Sequence, residues 1–145
     1  MEHPDDLTLD VSIRASRATV WQSLTERREQ WWPDMHFVAE PGAPLREEWT
    51  DGGRLHSASG VVTETRPGDA LAFEWRQAEW EGPLQVTFSL APAPDGTLLR
   101  LRETGFAALG SGTRLRDDHL GGWRFHLANL VRHAESAGSE QASTG

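Results

Sequence analysis

The amino-acid sequence predicts an α+β domain in which a curved antiparallel sheet of about six or seven strands wraps around a long C-terminal helix. Most of the chain consists of short segments in which apolar and polar residues alternate, separated by Gly, Pro and Asp turn signals. The end of the chain instead carries apolar residues at the spacing of an amphipathic helix. One sheet face must be covered, and only this helix is long enough to cover it.

The first elements are a strand and two short helices. Alternation over residues 7–13 predicts the strand, and Ser16 is a typical N-cap for the helix that follows. A second short helical turn over 27–32 is expected to stop at Pro33, which cannot continue a helix.

The middle of the chain predicts a meander of short strands. Asp51-Gly52 is a hairpin signal, and Pro and Gly mark the later turns. The predicted strands cover residues 45–49, 54–57, 60–65, 71–76, 84–90 and 97–104.

The last element is an amphipathic helix that begins near Thr113. Gly121-Gly122 interrupts its apolar stripe, and glycine lowers helix propensity by about 1 kcal/mol relative to alanine. Three interpretations stay open: the pair lets the helix approach the sheet, it permits a bend, or the helix begins at Gly122. The histidines at 119, 126 and 133 share one side of the helix, where we expect a row facing solvent.

Length, charge and composition restrict the function. The 145 residues suit one domain, predicted over 7–136, with a flexible N-terminus over 1–6 and a disordered polar tail over 137–145. The formal net charge of −8 argues against nucleic acid and anionic membranes as partners. With no cysteine, no metal-ligand spacing and no apolar leader, we expect a cytoplasmic protein without metal or cofactor.

The seven tryptophans are the most informative feature of the composition. Their wide rings either hold the helix away from the sheet and leave a cavity, or interdigitate and fill the interior to crystal density. Residue periodicity alone is compatible with both outcomes.

The order of several segments resembles the SRPBCC or START-like superfamily, and within it the bacterial homologues of the heat-shock-protein-90 ATPase activator domain. The resemblance covers roughly residues 7–135 and is carried by 13–25, Trp31-Trp32, Gly52-Gly53, 60–67, 71–75, 103–106 and Gly122-Trp123 with Leu127 and Leu130. It implies the helix-grip fold and a cavity between sheet and helix. Members of the superfamily bind lipids, hormones or polyketides, a few are cyclases or aromatases, and the eukaryotic namesake stimulates a chaperone ATPase.

The leading interpretation is a module that binds a small hydrophobic ligand in this cavity. The expected ligand-binding residues are Trp31, Trp32, Trp49, His56, Phe73, Trp75, Phe88, Glu103, Phe106, Trp123 and Leu127.

Two carboxylates are candidates for chemistry. Glu103 continues the inward side of its strand and Glu64 shares the side of Val62, so both either face the cavity or turn to solvent through strand twist. If both face inward, they suit general acid and base roles in a cyclase-type enzyme, which is the first alternative function. The second alternative is a co-chaperone that binds a chaperone partner. The expected assembly is a monomer or a weak homodimer.

Overall fold

The computed structural model describes residues 6–109 and 112–143 and shows one sheet packed against a long helix. The helices are α1 (Arg17–Leu24) and α2 (Gly112–Ser143), with 3-10 turns at Arg28–Gln30 and Phe106–Ala108. The strands are β1 (Asp6–Ile13), β2 (Met35–His36), β3 (Pro44–Asp51), β4 (Arg54–Arg66), β5 (Ala70–Gln77), β6 (Leu84–Ala93) and β7 (Gly96–Thr104).

All seven strands form one antiparallel sheet in the order β1-β7-β6-β5-β4-β3-β2. The predicted helix-grip fold is therefore confirmed. The inward residues of β6 are those that alternation predicts, because Leu84, Val86, Phe88 and Leu90 are all buried while their neighbours are more exposed. The same holds for Leu71, Phe73 and Trp75 on β5.

Strand β4 corrects one prediction and decides a question that the sequence left open. The segments predicted as separate strands at 54–57 and 60–65 form one strand of 13 residues, since Gly60 continues the extended backbone. Its pairing with β5 shifts between Val62 and Glu64, which is a β-bulge. The extra residue turns Glu64 outward, where its side chain is 50% exposed and bonds Arg66. Glu64 therefore does not face the interior.

The long helix is also longer than predicted. It begins at Gly112, so Gly121 and Gly122 lie within it and neither starts it. Both are exposed, and a Cβ atom at either would meet no atom within 4 Å, so they do not mediate close approach to the sheet. Helical backbone continues to Ser143 and Ala137 is buried, while the domain bounds of 7–136 and the tail over 137–145 stay predictions. The expected flexible N-terminus lies outside the described residues except for Asp6, which begins β1.

The segment after β1 positions the first tryptophan pair. Ser16 caps α1 as predicted, accepting a hydrogen bond from the Thr19 amide at 3.2 Å. The second predicted helix is only one 3-10 turn. The buried Arg28 in that turn donates to the carbonyls of Met35 and Phe37 at 2.7 and 2.8 Å, which holds the loop carrying Trp31 and Trp32 against the sheet.

Aromatic rings fill the interior between sheet and helix. The ring centroid of Trp123 on α2 lies 5.7 Å from that of Trp75 and 5.8 Å from that of Phe88. These are normal packing distances for aromatic pairs. The expected separation of helix from sheet at this level is wrong, because the large rings meet edge to face or tilted instead of holding the layers apart.

Substitution of two glycines by alanine is expected to change the free energy of unfolding in opposite directions. At Gly60 a Cβ atom would lie 1.8 Å from the Glu74 carbonyl oxygen of the neighbouring strand. We expect Gly60→Ala to lower the free energy of unfolding by at least about 2 kcal/mol. We expect Gly121→Ala, in the exposed middle of α2, to raise it by about 0.5–1 kcal/mol. Urea unfolding of both variants measures the two effects, and a Gly60→Ala protein as stable as wild type would contradict the close approach of the strands.

Candidate functional site

An open cleft of about 800 Å³ lies where the first half of α2 meets β3, β4 and β5. Its volume is in the range typical of small-molecule sites. The lining residues are Asp34, Glu47, Trp49, Thr50, Asp51, His56, Trp75, Gln77, Trp80, Leu115, Asp118, His119, Gly122, Trp123, Phe125 and His126.

Glu103 lies beneath the floor of this cleft and is fully buried, with 0% of its surface exposed. Its Oε2 accepts a hydrogen bond from the Trp75 indole N–H at 2.8 Å, and its Oε1 accepts one from Trp123 at 2.9 Å. His119 Nδ1 lies 2.7 Å from the same Oε1. Glu103 therefore faces inward as alternation predicted, and its oxygens are engaged by three side chains.

The contact between Glu103 and His119 also orients the imidazole. Because Nδ1 faces the carboxylate, the other ring nitrogen, Nε2, points to the opposite side of the ring. His119 is held laterally by the rings of Trp80 and Phe106, with centroids at 5.1 and 5.7 Å. A histidine that lines a cleft and is oriented by a buried carboxylate can move a proton to or from a bound molecule.

A second buried carboxylate, Glu47, lines the cleft itself. Glu47 is 9% exposed and accepts the indole N–H of Trp32 at 2.8 Å. Burial raises the pKa of Glu47 to about 7, and the hydrogen bond from Trp32 offsets only part of that effect.

The histidine next to this carboxylate responds in the opposite direction. The His126 ring lies 4.4 Å from the ring of Trp32, and burial lowers the pKa of His126 to about 4. His126 is therefore neutral at pH 7. Its Nδ1 is buried with no hydrogen-bond partner in the described part of the chain.

The structure places the predicted ligand-binding residues in three groups. Four of them line the cleft, namely Trp49, His56, Trp75 and Trp123. The others are buried around it: Glu103 under the floor, Trp31 bonded to the Ser23 carbonyl, Trp32 bonded to Glu47, and Phe73, Phe88, Phe106 and Leu127 in the core. None of these seven predicted residues lines the cleft, and the last four fill the layer between sheet and helix.

Sequence reasoning missed several residues of the site. His119 and His126 were expected to face solvent, but both line the cleft. Together with Trp123 they have the i, i+4, i+7 spacing of one helix face. Because Trp123 is a large apolar residue, this spacing indicates that the face points inward. Glu47 lies two residues after the buried Leu45, so strand alternation indicates it by the same argument as Glu103. Trp80 lies in the turn between β5 and β6, where no periodicity applies.

The described residues contain no cluster of three or more side chains suited to hold a metal ion. In that same part of the chain, no helix combines the length and apolar character needed to cross a membrane.

The buried carboxylate can be tested by an isosteric change. Glu103→Gln replaces one acceptor oxygen by an NH₂ group, which then faces a buried N–H donor. We expect the free energy of unfolding to fall by about 2–4 kcal/mol. The matched control is Glu64→Gln on the outer side of β4, for which we expect a change within about 0.5 kcal/mol. Equal effects of the two changes in urea unfolding would contradict the role assigned to Glu103.

The raised pKa of Glu47 predicts a pH dependence of stability. The folded protein binds the Glu47 proton more tightly than the unfolded chain does, whose ordinary value is 4.5, so folding loses stability as pH rises from 4.5 to about 7. The full loss is about 3 kcal/mol. His126 acts in the opposite direction between about 4 and 6.5 and masks part of this loss in the wild type.

The comparison of Glu47→Gln with wild type isolates the Glu47 contribution. We expect the variant to gain stability relative to wild type by about 3 kcal/mol between pH 4.5 and 8, measured by urea unfolding at several pH values. A difference between the two proteins that stays constant with pH would show that Glu47 does not titrate in this range.

Comparison with known proteins gives the same architecture repeatedly. A protein of Mesorhizobium loti, MLL2253, superposes with a TM-score of 0.77 at 23% identity, covering 90% of this chain and 97% of that one. The Aha1 dimer from Colwellia psychrerythraea superposes with a TM-score of 0.68 at 19% identity. The superposition covers 90% of this chain and 96% of that one. DynU16, a putative protein in the dynemicin biosynthetic locus, superposes with a TM-score of 0.75 at 25% identity. The superposition covers 94% of this chain and 49% of DynU16.

No curated protein matches the sequence. The profile of the family described as activator of Hsp90 ATPase homolog 1-like protein matches residues 14–135. That range runs from the end of β1 through most of α2 and includes Glu103, Glu47 and the tryptophans of the cleft. The chain therefore belongs to the family of activator of Hsp90 ATPase homolog 1-like proteins.

Proposed function

We propose that this protein is a cytoplasmic binding module that holds a small, largely hydrophobic ligand in the open cleft between the sheet and the first half of α2. The observation that carries the proposal is the cleft itself, with four tryptophans and one phenylalanine among its lining residues. Phe125 is 64% exposed although it is a large apolar side chain. Exposed apolar surface beside a concavity is typical of binding sites.

The floor of the cleft is rigid before any ligand arrives. Trp75 and Trp123 commit their only polar groups to Glu103, so they offer carbon surface and π electrons to the cleft. A floor that is already ordered reduces the entropy cost of binding. Gly122 leaves open space beside this floor, since a Cβ atom there meets nothing within 4 Å.

A second candidate function is an enzyme that acts on such a ligand. The favouring observation is the pair of Glu103 and His119, in which His119 lines the cleft and Glu103 orients it. In this alternative His119 is the proton-transfer residue and Glu103 is a positioning residue, while Glu64 has no role. His119→Asn with retained ligand affinity but lost turnover would establish catalysis over simple binding.

The uncharged fluorescent probe N-phenyl-1-naphthylamine tests the binding proposal. We expect enhanced probe fluorescence with wild type and at least about tenfold weaker binding to Gly122→Leu, whose side chain enters the cleft. The matched control is Gly121→Leu, one position away on the same helix, exposed and outside the cleft. It should bind the probe as wild type does.

Two results would count against ligand binding: no probe binding by the wild type, or equal loss in both leucine variants. Co-purification of a bacterial chaperone with a protein that binds no probe would then favour the co-chaperone alternative. That experiment uses the full chain and compares it with a Glu64→Gln control preparation.

A further inference from the structure

Carboxylates predominate among the charged side chains of the cleft, whose only basic lining residues in the described part of the chain are His56, His119 and His126. Its lining includes four carboxylates, those of Asp34, Glu47, Asp51 and Asp118, and no arginine. Lysine is absent from the whole sequence, since every basic residue is an arginine. A concave site in which one sign of charge predominates focuses its field on whatever enters.

These carboxylates are not paired with arginine. Within the described ranges, none of the four forms an ion pair with an arginine. The arginines pair elsewhere, as Arg100 does with Asp10 and Arg17 with Asp69. Glu103, fully buried directly below the floor, adds a further carboxylate near the cleft.

The walls between these carboxylates are aromatic. Trp49, Trp75, Trp80, Trp123 and Phe125 line the same space. The face of an indole or phenyl ring carries negative quadrupole potential and attracts a cation placed over it, most strongly for tryptophan. Carboxylates at the rim and ring faces in the wall therefore favour the same sign of ligand charge.

We propose that the cleft selects organic cations: molecules that join an ammonium or quaternary ammonium group to an aromatic or aliphatic body. This inference rests on the proposed binding function and specifies its ligand class. The apolar body lies against the tryptophan floor, and the cationic group lies at the mouth, where aspartates line the cleft. Fatty acids, phosphate esters and other anions are disfavoured, because among the described residues no arginine lines the cleft to receive them and the lining aspartates repel them.

The ionisation of Glu47 supports this assignment. Burial holds the pKa of Glu47 at about 7, with Asp34 raising it further and the Trp32 hydrogen bond and His119 lowering it. His126 is neutral in this range and does not contribute charge. A bound cation favours the ionised carboxylate, so the affinity for a cation is expected to increase from pH 6 to pH 8.

Three probes of similar shape test the charge preference by displacement of N-phenyl-1-naphthylamine from the full chain. They are benzyltrimethylammonium, its neutral carbon isostere neopentylbenzene, and the anion phenylacetate. We expect the cation to bind about three- to thirtyfold more tightly than the neutral isostere, and phenylacetate to bind most weakly.

Charge-removing variants show whether the carboxylates cause the preference. Asp118→Asn and Asp51→Asn should each weaken benzyltrimethylammonium binding about threefold relative to binding of the neutral probe. The matched control is Asp117→Asn, an exposed neighbour on α2 that lies outside the cleft and next to Arg116. It should leave both affinities unchanged.

The outcomes separate the two proposals. If N-phenyl-1-naphthylamine does not bind, the binding function itself fails. If it binds and is displaced equally well by the cation and the neutral isostere, or better by the neutral isostere, the cleft binds ligands but does not select cations. Equal effects of Asp118→Asn and Asp117→Asn would also overturn the selection of cations.

Discussion

The burial of one carboxylate fixes how the helix sits on the sheet. Transfer of an ionised carboxylate from water into the protein interior costs several kcal/mol, and only well-placed hydrogen bonds offset that cost. For Glu103 on β7 these bonds come from Trp75 on β5 and from Trp123 and His119 on α2. A shift of α2 by one residue would remove two of the three hydrogen-bond partners at once. The charge therefore favours a single register of helix against sheet, and the aromatic contacts around it follow from that register.

The same residues build the core and the floor of the cleft. Trp75 and Trp123 contact each other and Phe73 or Phe88 on their inner sides, and both also line the cleft. This explains why bulky aromatic rows produced a filled interior and an open cleft rather than one enclosed cavity. The rings pack at the level of Glu103, and space remains only toward the mouth, where Gly122 adds no side chain.

Strand alternation predicted most of the fold because the sheet has one buried face, and it correctly placed Glu103 on that face. It left the side of Glu64 open, and a β-bulge decides it, since the bulge adds one residue to β4 and reverses the side on which the following side chains lie. No local pattern marks that bulge. The inward face of α2 could have been predicted from the sequence, because the spacing of His119, Trp123 and His126 places all three on one side of the helix. Trp80 lies in a turn, where no periodicity predicts which side chains are buried. Its position is set by tertiary contacts with Trp75 and His119.

The distribution of charge explains why a net excess of acidic residues matters at this site. On the outer side of β1 and β7, arginines neutralise the acidic residues directly, with Arg100 bonded to Asp10 and Arg102 to Asp6. At the cleft, Asp34, Asp51 and Asp118 are exposed to water, which solvates them at little cost while the cleft is open. A ligand that covers them removes part of that water. A neutral ligand would leave the carboxylates desolvated and unpaired, whereas a cation compensates them, so the site discriminates by penalising the wrong ligand as well as by attracting the right one.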